Sequence, residues 1–148
     1  MNFFFIPTVL CFLPWVLFLG GCERDRGGDP ISLIIENNSS NTIVAAMQFN
    51  YPDTTLQDYN TIADMNANTI PSYSEMEFYE FTGWENAISE RNPSKTLIVV
   101  IYSSDTLDKY TWSDIQKNYN ILKRYDLTIE DLRATTKLKP KRFVVTYP

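Results

Sequence analysis

Histidine does not occur anywhere in the 148 residues. Its absence removes the commonest general base, the usual nucleophilic triad and the usual transition-metal ligand together. Cysteine occurs only at Cys11 and Cys22, both ahead of the segment that reads as folded. A domain without a thiol has no disulfide, no thiolate nucleophile and no cysteine metal site. Of the five glycines, Gly20, Gly21, Gly27 and Gly28 precede the domain and only Gly83 lies inside it. A glycine-rich phosphate loop is therefore excluded. Turns that need positive φ are expected to fall on Asn and Asp, as in "NN", "NAN" and "NYN".

Charge is missing from the first 21 residues, which hold no Lys, Arg, Asp or Glu. From Phe3 to Gly21 the chain is almost wholly apolar and about long enough to span a bilayer. Pro7 and Pro14 interrupt this run, and an internal proline removes a helical hydrogen bond and kinks the helix. The run closes on the small residues Gly20 and Gly21, as cleavage sites do. Leu19-Gly20-Gly21-Cys22 resembles the lipobox of bacterial lipoproteins, whose diacylated cysteine becomes the N-terminus after cleavage. The resemblance implies a signal peptide over 1–21, a palmitate-type lipid on Cys22, and a flexible polar tether over 22–29, "CERDRGGD". The expected location is the cell envelope, lipid-anchored, with the outer membrane favoured.

Residues 30–148 read as one globular α+β domain with a mainly antiparallel sheet of about five strands and two or three short helices. "ISLIIE" places Ile31, Leu33 and Ile35 on one face, and "TIVAAMQFNY" does the same from Ile43 to Tyr51. With the turn residues "NNSSN" between them, the two read as an antiparallel hairpin. Ser74 to Phe81 reads as a third strand with Glu75, Glu77 and Glu80 on a wet face. Trp84 to Arg91 reads as a helix ended by Pro93, with Trp84, Ala87 and Ile88 inward. "TLIVVIY" from Thr96 is an uninterrupted apolar run, the mark of a strand buried on both faces. Ser113 with Gln116 reads as a capping box that opens a helix through Ile115, Tyr119 and Leu122, closed by Lys123 and Arg124. Thr128 with Asp131 opens a second helix, and "RFVVTY" is the last strand.

Only carboxylates remain for acid–base or metal chemistry. "DMNANT" from Asp64 lacks the glycine and closing Glu of a calcium loop, and solvated charge is the simpler reading of Glu75, Glu77 and Glu80. No catalytic, cofactor-binding or metal residue is therefore assigned, and no cofactor is expected. Charge is uneven: Pro30 to Asp108 carries 11 acids and two bases, whereas Lys109 to Pro148 carries four acids and nine bases. The basic end, densest in "RATTKLKPKR", is expected to neutralise the acidic part across the fold rather than to meet anionic headgroups. An acidic pI of about 4.7 argues against nucleic acid as a partner. The fifteen aromatics of the domain, nine of them Tyr, suit sugar stacking and protein recognition as well as packing. Asp53-Thr54-Thr55 and Asp105-Thr106-Leu107 resemble the O-glycosylation triplet of exported Bacteroides-type proteins, which marks Thr54 and Thr106 as candidate acceptors.

The stretches "ENNSSNTI", "NYPDTTLQDYN", "ILKRYDLTIEDL" and the closing "TYP" resemble a set of small uncharacterised lipoproteins of Bacteroides-type bacteria, over nearly all of the mature chain. That resemblance implies the anchor and the single domain, and carries no activity. The expected function is a membrane-tethered envelope lipoprotein, non-enzymatic, that binds an envelope protein or a glycan or is structural. A structural or immunity-type role implies a co-encoded partner. The alternative is a small carboxylate-dependent hydrolase acting on glycans.

Overall fold

The computed structural model describes residues 32–57, 68–136 and 142–148. Cys22, its tether, Ile31 and the Asp64 stretch lie outside the described residues. Seven strands and four helices are described, in two mostly antiparallel sheets, so the α+β single-domain expectation holds in outline. The first sheet has the order β4 (Ser74–Tyr79), β1 (Ser32–Asn37), β7 (Arg142–Tyr147), with β1 antiparallel to β4 and parallel to β7. The second is fully antiparallel, in the order β3 (Thr69–Ile70), β2 (Ile43–Gln48), β5 (Thr96–Ser103), β6 (Lys123–Thr128). Among the described residues no helix is long and apolar enough to cross a membrane.

The two sheets pack face to face. Leu33 and Ile35 of β1 and Phe143 and Val145 of β7 join one apolar cluster with Ile43 and Ala45 of β2 and Leu97 and Val99 of β5. Helix α1 (Trp84–Arg91) adds Trp84 and Ile88 to that cluster, and α4 (Ile129–Thr135) adds Ile129 and Leu132. The opposite face of the second sheet carries Val44, Ala46, Ile98, Val100 and Tyr102. Helices α2 (Ser104–Lys109) and α3 (Trp112–Asn118) cover it with Leu107 and Ile115. This is why "TLIVVIY" is apolar without alternation: β5 lies between β2 and β6 and packs on both faces.

Several expectations change. Strands β1 and β2 are not a hairpin; they belong to different sheets. At the crossing between sheets Asn37, fully buried, works as a polar bolt as well as a turn residue. Its Nδ2 donates to the carbonyls of Asn41 (2.8 Å), Pro71 (2.9 Å) and Ile70 (3.2 Å). Its Oδ1 accepts from the Ser39 amide (3.0 Å) and hydroxyl (2.7 Å). Helix α3 starts earlier than Ser113, with Thr111 as its cap accepting from the Asp114 amide at 3.2 Å. With Thr111 as the cap, Asp114 takes the position three residues on, and Gln116 Nε2 instead donates to the Leu56 carbonyl. The helix stops at Asn118, where Tyr119 turns left-handed (φ 53) and the Asn120 amide closes on the Ile115 carbonyl. Lys123 and Arg124 then run in β6 rather than ending a helix; the Leu122 amide has already joined the Ile101 carbonyl at 2.8 Å.

Helix α1 and the Thr128–Asp131 capping box form as read. Positive φ does not fall on Asn or Asp among the described residues. It falls on Tyr73, Lys95 and Tyr119, besides Gly83. The outer edge of β7 is closed by side chains: Thr135 Oγ1 accepts from the Val144 amide (2.9 Å) and the Tyr125 hydroxyl donates to the Thr146 carbonyl (3.0 Å). These two bonds occupy backbone groups that another strand would need for pairing.

Candidate functional site

After β2 the chain folds into a tight loop fastened by its own polar groups. The Asp53 amide donates to the Asn50 carbonyl (2.8 Å), and Asn50 Nδ2 donates to the Thr55 carbonyl (3.1 Å). The Thr55 amide donates to Asp53 Oδ1 at 2.8 Å, and this backbone hydrogen bond is the main cause that holds the Asp53 carboxyl below its usual pKa. Leu56, buried, plugs the loop into the apolar layer under α2 and α3. Two ties then join the loop to α3 and to β6. Gln116 Nε2 of α3 donates to the Leu56 carbonyl (2.9 Å), and Arg124 Nη2 of β6 donates to the Asp53 carbonyl (3.2 Å). Arg124 is itself held by Asp126 Oδ1 at 2.7 Å.

Between loop and helix lies a hollow of about 420 Å³ lined by Thr54, Thr55, Leu56, Gln116, Lys117 and Tyr119. That volume is within the range of small-ligand sites, and the lining has the usual mixture of an aromatic face and a few polar groups. Tyr119 is 41% exposed although its backbone is left-handed, a conformation that costs a residue with a Cβ about 1–2 kcal/mol. A second hollow of about 250 Å³ lies on the other side of the Tyr119–Leu122 connection, lined by Ser103, Thr106, Tyr110, Asn120, Ile121 and Leu122. Chemically the pair offers ring faces, hydroxyls, carboxamides and one ammonium: groups that hold a polyhydroxylated molecule by stacking and hydrogen bonds.

The residues singled out from sequence are placed as follows. Thr54 is exposed and lines the larger hollow; Thr106 is half-buried in α2 and lines the smaller one. Of the acids read on the wet strand face, Glu75 stands opposite Glu36 across the β1–β4 pair. Glu77 accepts hydrogen bonds from the Ser32 hydroxyl (2.5 Å) and the Tyr79 hydroxyl (2.6 Å) and faces Arg142 at 3.6 Å. Its bond to Tyr79 pushes that phenol's pKa up. Glu80 pairs with Arg91 at 3.0 Å. Among the described residues no three His, Cys, Asp or Glu side chains gather as a metal site.

The basic end does reach the acidic part. Arg133 Nε meets Glu85 at 2.8 Å, and Arg142 meets Glu77. Gln116, Lys117, Tyr119 and Arg124 were not legible as site residues. The one signal in the sequence is the tyrosine of "NYN", which stands where a helix usually turns out through Gly or Asn. Compared with protein-family models, with curated proteins and with solved structures, the chain finds no match.

Proposed function

We propose that the chain is a lipid-anchored, non-enzymatic binding protein of the cell envelope whose ligand is a short glycan held in the hollow between the 53–56 loop and α3. The observation that carries this reading is the fastened hollow itself. Gln116 and Arg124 fix both walls in advance, so little loop ordering is left to oppose binding. The Tyr119 ring supplies a face for sugar C–H groups, and Thr54, Thr55 and Lys117 supply hydrogen bonds at its rim. Attachment rests on Leu19-Gly20-Gly21-Cys22 after an apolar run, and the absence of His and of a thiol after Cys22 supports binding over turnover.

The test is a titration of the intact lipoprotein in detergent against an oligosaccharide panel, repeated with Tyr119→Ala and Lys117→Ala. The reading predicts retention of at least one glycan, lost in both variants. Retention unchanged in both variants refutes the location, and a glycan cleaved during the titration supports the hydrolase instead. This reading also requires Thr54 to be unmodified, since a sugar attached there would fill the hollow. Mass spectrometry of the protein from its native host decides between the two roles of Thr54.

A further inference from the structure

Phe81 is 100% exposed and Tyr79 69% exposed, together at one end of the first sheet, whereas Tyr73, 73% exposed, stands alone at the other end beside Ser39. Register shows which end this is. Tyr79 is the cross-strand partner of Ser32, where the chain enters the domain, and Arg142 is the partner of Ser32 on the other side. Phe81 follows two residues beyond Tyr79, in the turn that the Gly83 amide closes on the Glu80 carbonyl at 3.0 Å. The exposed aromatics therefore stand beside the point at which the tether arrives.

The tether is short. Nine residues separate Cys22 from Ser32, so even a fully extended chain places the start of β1 no more than about 35 Å from the cysteine. With a lipid on Cys22, the Ser32 end of the domain is the end kept nearest to the bilayer, and Phe81 with it. A phenyl ring in water is stabilised in proportion to the apolar area it buries, and a tyrosine whose hydroxyl keeps a polar partner, here Glu77, suits the headgroup level. The acids of this end do not oppose a phosphate surface as free anions. Glu80 is paired with Arg91 and Glu77 with Arg142, and the Arg142 side chain remains 49% exposed. At the opposite end, Asn37 leads to Ile43, and the Ser104 amide meets the Thr42 carbonyl. That end holds the hollow lined by Ser103 and Thr106.

We infer that the Ser32–Tyr79–Phe81 end is a membrane-contacting face: Phe81 and Tyr79 enter the headgroup region of the anchoring bilayer and orient the domain so that the Ser103 end points away from it. This rests on the lipid-anchor reading. The membrane is the occupant because the tether delivers this end to it, whatever else the domain binds.

The intact lipoprotein carrying Phe81→Cys or, as a control at the far end, Ser40→Cys is labelled with a nitroxide. Acylated Cys22 does not compete for the label. Each sample is reconstituted in vesicles of phosphatidylethanolamine and phosphatidylglycerol. The inference predicts a several-fold loss of collision with a water-soluble relaxant at position 81 and none at position 40. Equal accessibility at the two positions in protein that floats with the vesicles overturns the inference and leaves the anchor standing. Protein that does not float with vesicles overturns both. Unlabelled Phe81→Ser serves as the folding control: it remains vesicle-bound, and a nitroxide at Tyr79→Cys in that background regains access to the relaxant.

Discussion

Replacing Asn37 by alanine tests the joint between the two sheets. The side chain is fully buried and makes five contacts of hydrogen-bond length, three from Nδ2 and two to Oδ1. Two hydrogens on Nδ2 serve the three carbonyls, so the alanine removes the equivalent of four bonds. At about 1 kcal/mol net for each bond the loss is about 4 kcal/mol, reduced to about 3 because the exposed partners regain water. With an m value of about 1.5 kcal/mol/M the urea midpoint falls by about 2 M, at unchanged m. Asn37→Asp separates two explanations. An ordinary turn asparagine tolerates Asp, which keeps the accepting oxygen. Here the donors matter, so Asp is as damaging as Ala. A midpoint within about 0.5 M of the wild type for the alanine variant, a small fraction of the loss those bonds imply, refutes the bolt; a tolerated Asp reduces Asn37 to a turn residue.

Tyr119→Gly relieves the left-handed backbone and raises stability by about 1 kcal/mol while abolishing glycan retention; a destabilised variant contradicts the claim that Tyr119 is kept at a cost for binding. Gln48 is fully buried with neither amide atom partnered among the described residues, so Gln48→Met raises the melting temperature, by about 4 °C for each kcal/mol recovered. A lowered melting temperature indicates that the amide is satisfied in solution. Asp131 caps α4 through Thr128, whose hydroxyl is the main cause of its lowered pKa. Because the folded pKa lies below the usual 3.8, that stabilisation is complete above the unfolded value and disappears as pH falls through the folded one. Asp131→Asn therefore flattens the acid limb of the stability profile, and Thr128→Ala removes about 1 kcal/mol at neutral pH; an acid limb that is unaltered in Asp131→Asn excludes the coupling.

What was legible in the sequence was whatever depends on neighbours along the chain. The apolar run of β5, the Trp84–Ala87–Ile88 stripe of α1 and the Thr128–Asp131 box all declare themselves within a turn or two. The sheet switch after β1 did not, because "NNSSN" has the same composition whether it closes a hairpin or bolts two sheets together. The difference lies in the carbonyls of Ile70 and Pro71, more than thirty residues away. Strand β6 was hidden by its charges: Lys123 and Arg124 read as a helix end, yet with Asp126 they occupy an edge strand. The hollow was invisible for the same reason as the bolt. Its walls come from segments about sixty residues apart, joined by Gln116 and Leu56.

The central claim is attachment through Cys22, because the orientation of the domain and the interpretation of its exposed aromatics depend on it. Intact-mass and N-terminal peptide analysis of the protein from its native host tests this most directly. The account predicts a mature chain beginning at Cys22 and carrying acyl groups, with 1–21 absent. A chain that retains Met1, or begins at an unmodified Cys22, contradicts it.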